Sequence, residues 1–157
     1  MAGDLTAFLD TSVLLAGIVE LGDASRAPQR VMTAIANGKL PRPRTAWHCC
    51  LELYSVCTRL PHELRVSAAD AARLVEEEVL SRFDVHGLPS RARLSFVRMV
   101  GVDGITGGRV YDAHIGEVAR RAGTRILVTD NRRHFTSLLR HGIRVIPTAE
   151  YAAEAGV

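Results

Sequence analysis

The chain alternates short unbroken apolar runs with longer stretches whose apolar positions recur at helical spacing. Thr6-Ala7-Phe8-Leu9, closed by Asp10, reads as a strand buried on both faces of a parallel sheet. Ile126-Leu127-Val128, ending in Thr129-Asp130, and Ile143-Arg144-Val145-Ile146 before Pro147 repeat the pattern. Thr11 and Ser12 can cap the helix after the first strand. A second helix is bounded by Ser25, with Pro28 in its first turn, and by Asn37-Gly38 at its end. Pro41-Arg42-Pro43-Arg44 must be extended and reads as an edge strand. From Trp47 to Arg59 the pattern is helical, with Trp47, Leu51, Tyr54 and Thr58 on one side and Glu52 off that stripe.

Ser67-Ala68-Ala69-Asp70 resembles a capping box that opens a further helix, buried through Leu74, Val75 and Val79, with Glu76-Glu77-Glu78 as its solvated face. A short strand around Asp84-Val85 and a helix from Ser90 to Met99 follow. Gly101, Gly104, Gly107 and Gly108 mark a loop before a helix from Arg109 to Ala122, stopped by Gly123. Strands separated by helices predict a three-layer α/β/α sandwich around a mostly parallel sheet. Ligands in such sheets bind beyond the carboxyl ends of the strands, where Asp10 and Asp130 are expected to lie.

With 157 residues, the chain is expected to form a single domain over 1–150, with 151–157 as a tail or helix end. Apolar residues make up 47% and charged residues 24%, a globular balance. No run is apolar for anything near the length of a membrane span, and Asp4 interrupts any signal-peptide core, so a cytoplasmic protein without membrane contact is expected. Cys49, Cys50 and Cys57 form no C-x-x-C pair, which leaves them as reduced packing residues of a helix. The net charge of +3 is compatible with a nucleic-acid partner without requiring one.

Taken singly, the acids have ordinary structural readings. Asp10 and Asp130 can cap or turn, Asp112 complements a helix dipole, and Glu52 lies on a polar helix face. Taken together they change meaning, because four crowded carboxylates raise one another's pKa and a divalent cation relieves the conflict. An oxygen-only donor set suits magnesium or manganese better than zinc, with one or two ions both possible. His48, His114 and His134 show no H-E-x-x-H spacing and are expected on the surface or behind the site. Such a site can activate water against a phosphodiester.

Competing phosphate chemistries lose their key residues. The only lysine, Lys39, follows Gly38 at a helix end, so there is no P-loop and no late-strand lysine of a receiver domain. Asp10-Thr11-Ser12 lacks the second acid of a haloacid dehalogenase-like phosphatase, and the glycines from 101 to 108 do not form a dinucleotide fingerprint.

Four segments carry a resemblance to a known family: Phe8-Leu9-Asp10-Thr11-Ser12-Val13-Leu14-Leu15, Glu52 in the third helix, Gly107-Gly108-Arg109-Val110-Tyr111-Asp112-Ala113-His114, and Leu127-Val128-Thr129-Asp130-Asn131-Arg132-Arg133-His134-Phe135. In order and spacing the chain resembles the PIN-domain family, and within it the VapC-type toxins of toxin–antitoxin pairs. The resemblance implies that Asp10, Glu52, Asp112 and Asp130 are catalytic and metal-binding, with Ser12, Thr129 and Asn131 supporting them. It also implies a magnesium-dependent endoribonuclease acting as a toxin, a homodimer, and a cognate antitoxin protein that occupies the active-site groove. Arg42, Arg44, Arg109, Arg132 and Arg133 are expected near the acidic mouth as candidates for RNA phosphates. Aromatic content of 5% predicts no extended base-stacking platform. The alternatives are a PIN-like nuclease in RNA maturation or on structured DNA, and a catalytically inactive RNA-binding module.

Overall fold

Five three-residue strands, each too short to be stable alone, pair entirely in parallel and depend on the helices that cover them. The computed structural model describes residues 4–157. Strand β1 (Ala7–Leu9) leads into helix α1 (Thr11–Ile18) and, through a short turn of helix, into α2 (Arg26–Ala36). Strand β2 (Arg44–Ala46) opens α3 (Trp47–Cys57), followed by α4 (Ala68–Leu74), a wider-wound continuation over Val75–Leu80, and β3 (Asp84–His86). Helices α5 (Arg93–Val102) and α6 (Arg109–Arg121) precede β4 (Ile126–Val128), and β5 (Arg144–Ile146) precedes α7 (Thr148–Ala155).

The spatial order is β3-β2-β1-β4-β5. The chain builds outward from β1 in one direction, then crosses to β4 and builds outward in the other. The carboxyl ends of β1 and β4 are therefore the switch point, where the loops diverge and leave a crevice. Ala7, Phe8 and Leu9 pair with Ile126, Leu127 and Val128, and all six are buried. Together with Val13, Leu14, Leu53 and Val118 they form the centre of one core, each large side chain contributing about 1.5–3 kcal/mol of burial.

Several expectations shift by small amounts. The N-cap of α1 is Asp10 rather than Thr11 or Ser12, since its carboxylate accepts from Val13 N. Strand β2 starts at Arg44 and lies between β1 and β3, so it is an interior strand; the edge is β3. Residues 151–155, expected as a tail or helix end, form the end of α7, with Tyr151 and Ala152 buried and the Tyr151 hydroxyl donating to Leu5 O at 2.8 Å.

Helix α3 buries its cysteines, as expected of packing residues. Its inward face is Cys49, Cys50, Leu53 and Cys57, while Trp47, Leu51 and Tyr54 are exposed. Thiols behave as small hydrophobes, and their size lets α3 lie close to the sheet. Close approach recurs between α1 and α2, where a Cβ at Gly17 would sit 2.4 Å from Met32 Cγ. That contact holds α1, and with it Asp10, against the second helix.

Candidate active site

Asp10 leaves β1 with its amide donating to Val128 O at 3.3 Å, so the sheet itself positions the residue. The side chain is 5% exposed. Ser12 Oγ donates to its Oδ1 at 2.6 Å and Thr129 Oγ1 to its Oδ2 at 2.8 Å. Burial pushes its carboxyl up to about 6; the Ser12, Thr129 and Val13 hydrogen bonds oppose the rise, and the charge of Asp130 adds to it. Thr45, fully buried, donates its hydroxyl to Leu9 O at 2.7 Å, clamping the end of β1 to β2 just before Asp10.

Ser12 joins the two loops of the switch point, because its oxygen also accepts from Asp130 N at 3.2 Å. Thr129 does the same within the second loop, accepting from Asn131 N at 3.0 Å. Asn131 thus contributes its backbone to this network. Asp130 turns toward α7, where its two oxygens accept from Thr148 N and Thr148 Oγ1, each at 3.0 Å. This contact ties the β4 loop to the start of the last helix and satisfies an orphan amide there.

A second acidic pair faces the first. Glu52 projects from α3, and Thr11 Oγ1 donates to its Oε2 at 2.5 Å. Asp112, in the first turn of α6, meets His134 Nδ1 at 3.0 Å. Its carboxyl is held above the usual range by burial foremost, with the Glu52 charge adding to that and the His134 charge opposing it.

The four carboxylates therefore stand as two pairs, Asp10 with Asp130 and Glu52 with Asp112, linked through Thr11. They do not close into one ready cage: among the described residues, no three His, Cys, Asp or Glu side chains are gathered to hold a metal. Each carboxylate instead accepts hydrogen bonds from the protein. The chemistry of the donor set nonetheless fits a hard divalent cation, being all oxygen and holding two carboxyls raised by burial and by like charge.

The arginines divide. Arg109 and Arg133 line a cavity of about 330 Å³ beside Asp112 and His134, between α6 and the segment after β4. Arg132 lies in that segment, exposed and outside the cavity lining. Arg42 and Arg44 are at the amino ends of the strands, opposite the carboxylates, which corrects their expected place at the acidic mouth. Arg42 is occupied there by Asp84 Oδ1 at 2.8 Å and by the carbonyls of Ser81 and Phe83. The strand direction of β2 decides this, since residues before the strand lie at its other end.

Thr11, Thr45 and Thr148 are the parts of the site that sequence reasoning missed, whereas His134, expected on the surface or behind the site, meets Asp112 there. Thr11 had a visible signal, adjacency to Asp10; Thr45 and Thr148 reach the site only through tertiary contacts.

The family model of the PIN domain matches residues 6–133. The chain belongs to the PIN domain family. It is 38% identical over 85 residues to Ribonuclease VapC27 of Mycobacterium tuberculosis, covering 54% of this chain and 60% of that protein. It is 28% identical over 123 residues to Ribonuclease VapC40 of the same organism, covering 78% of this chain and 85% of that protein. The match to VapC27 thus spans less than two thirds of its length. Among solved structures, the crystal structure of PAE2754 from Pyrobaculum aerophilum superimposes with a TM-score of 0.60 at 22% identity, over 99% of this chain and 93% of that one. This last likeness speaks for the fold.

Proposed function

We propose that the protein is a divalent-metal-dependent endoribonuclease acting as the toxin of a toxin–antitoxin pair. The observation that carries the reading is Asp10, a buried carboxyl raised to about 6 at the switch point of a parallel sheet, with Glu52 bound to the adjacent Thr11 and Asp112 near enough to Glu52 for their charges to interact. Clustered acids serve a nucleic-acid protein poorly unless a cation joins them, because phosphates repel them.

Asp10, Glu52, Asp112 and Asp130 would hold magnesium or manganese, which when bound activates water and stabilises charge on the phosphodiester. The chain's own residues prepare the place. Ser12 and Thr129 fix both oxygens of Asp10; Thr11 orients Glu52; His134 holds Asp112; Thr148 anchors Asp130. Arg109 and Arg133, lining the cavity beside Asp112, are placed to bind flanking phosphates, with exposed Arg132 nearby. An antitoxin protein and a second copy of the chain belong to the same reading. The exposed Trp47, Leu51, Leu94 and Val97 on α3 and α5 supply apolar surface for protein contact. Residence in the cytoplasm goes with an RNA-directed toxin, and among the described residues no helix is long and apolar enough to cross a membrane.

One observation favours a second reading, an RNA-binding module without cleavage: all four carboxylates already accept hydrogen bonds within the protein. Purified protein freed of any partner and incubated with total RNA decides between them. Cleavage that requires magnesium or manganese and disappears in Asp10→Asn with Asp112→Asn is the expected result. RNA retained in EDTA with no cleavage under either metal would establish the binding module instead.

A further inference from the structure

The aromatic residues are few, yet the fold gathers rings beside the carboxylates. Tyr111 immediately precedes Asp112 on α6 and is 55% exposed. Its ring lies nearly parallel to the imidazole of His48 on α3, with centroids 5.1 Å apart and planes 12° from one another. His48 is one helical turn before Glu52 and so shares its face. His114 meets His48 edge-on at 5.6 Å and meets Phe96 of α5 in the same way, also at 5.6 Å. Phe96 is buried. The stack is thus braced from α5 through α6 to α3, and it stands between the helices that supply Glu52 and Asp112. Asp112 is close enough to His48 to feel its charge.

We propose that Tyr111, backed by His48, is a stacking platform for one unpaired nucleobase of a single-stranded RNA, next to the scissile phosphate; this rests on the ribonuclease reading above.

The chemistry favours a base over other flat groups for three reasons. A half-exposed ring already stacked on one face offers its other face without reorganisation, and every nucleobase has a matching π-face. Arg109 and Arg133 line a cavity that Asp112 also lines and Tyr111 does not, so phosphates held there would belong to the same strand as a base on the platform. A base paired inside a duplex is stacked on its neighbours and cannot reach such a platform, which restricts the substrate to loops, bulges and ends.

The test uses short single-stranded RNA carrying a fluorescent aminopurine at successive positions, bound to the full chain in EDTA so that it stays intact. Quenching at one position is expected with the wild type, retained in Tyr111→Phe and Tyr111→Trp and lost in Tyr111→Leu. Affinity in Tyr111→Leu should weaken roughly 5- to 150-fold, the range of one lost base stack. Annealing the complementary strand should abolish the further quench that adding the protein causes. Thermal unfolding of each variant separates lost stacking from lost folding, and the Phe variant, which keeps the ring, is the control.

Cleavage of the same RNA in magnesium or manganese is measured in parallel. Cleavage without quenching at any position, or quenching undiminished in Tyr111→Leu, overturns the platform and leaves the ribonuclease standing. Quenching without cleavage keeps the platform and overturns the ribonuclease. Failure to bind RNA in EDTA and in magnesium or manganese alike, with no cleavage, overturns both.

Discussion

The two ends of the parallel sheet treat charge in opposite ways. At the amino ends of the strands, acids meet arginines: Arg42 pairs with Asp84 at 2.8 Å, and Arg144 pairs with Glu154 and with Glu150. At the carboxyl ends, Asp10, Glu52, Asp112 and Asp130 lie near one another, and among the described residues none is paired with an arginine, although the chain has nineteen. Their partners are hydroxyls, amides and one histidine. Neutral donors orient a carboxylate without cancelling its charge. The amino end balances its charges in pairs, and the carboxyl end keeps negative charge that a cation would relieve.

The largest effect that would break this contrast is on cleavage. Replacing Asp10 or Asp112 by Asn keeps the shape and removes the charge, and each change is expected to lower RNA cleavage about hundredfold or more. Gel analysis of RNA products at matched protein concentration reads this directly. Activity that survives both substitutions would mean that the acidic end is structural.

Stability should move the other way at the same residue. The Asp10 carboxyl is raised in the folded state from 3.8 to about 6, so the folded protein binds the proton more tightly than the unfolded chain. Its stabilising contribution is complete below the unfolded value and is lost as pH rises through about 6. Near neutral pH the ionised, buried group costs about 3 kcal/mol at most, at about 1.4 kcal/mol per unit. Asp10→Asn is therefore expected to melt higher than the wild type in metal-free buffer near neutral pH, and to lose part of the pH dependence between the two values. Adding magnesium or manganese should raise the wild-type melting temperature and leave that of Asp10→Asn nearly unchanged. A variant that melts lower than the wild type at neutral pH contradicts the assignment of strain to this carboxyl.

A smaller effect belongs to the anchor of Asp130. Thr148→Val keeps the shape of the buried side chain, removes the hydroxyl donor to Oδ2, and should cost roughly 1 kcal/mol in chemical denaturation. Thr148→Ser should restore it. The smallest change is expected at the opposite end. Arg42→Gln breaks a half-exposed ion pair and should alter stability by about 1 kcal/mol or less, with RNA cleavage at the wild-type rate. A large loss of cleavage in this variant would place RNA across the amino ends and reverse the assignment of the two ends.

Much of this was legible in the chain, for local reasons. Unbroken apolar runs marked β1 and β4 because a strand covered on both faces has no polar side to show. Ser25 and Asn37 mark the ends of α2, although the Ser25 hydroxyl turns back to Val19 O and Leu21 N instead of capping the helix, and Gly123 at φ +72° ends α6 because that backbone conformation favours glycine. The acids at the ends of β1 and β4 followed from strand direction. Helix α3 was harder. The cysteines were legible as packing residues, but the stripe of Trp47, Leu51 and Tyr54 read equally as core or as partner surface, and the structure leaves it exposed. Local pattern cannot rank two apolar faces; the space beside the sheet can.

Sequence by itself determined the order of the main elements, the parallel sheet and the places of Asp10 and Asp130 at strand ends, because periodicity and strand direction depend on near neighbours. Tertiary structure decided which charges meet. It sent Arg42 and Arg44 to the far end of the sheet, divided the acids into two pairs joined by Thr11, gave Asp130 to Thr148, and brought His48 of α3 against Tyr111 of α6. These partners are far apart along the chain. Only the crossing of the backbone at the switch point, and the burial that follows from it, brings them within reach.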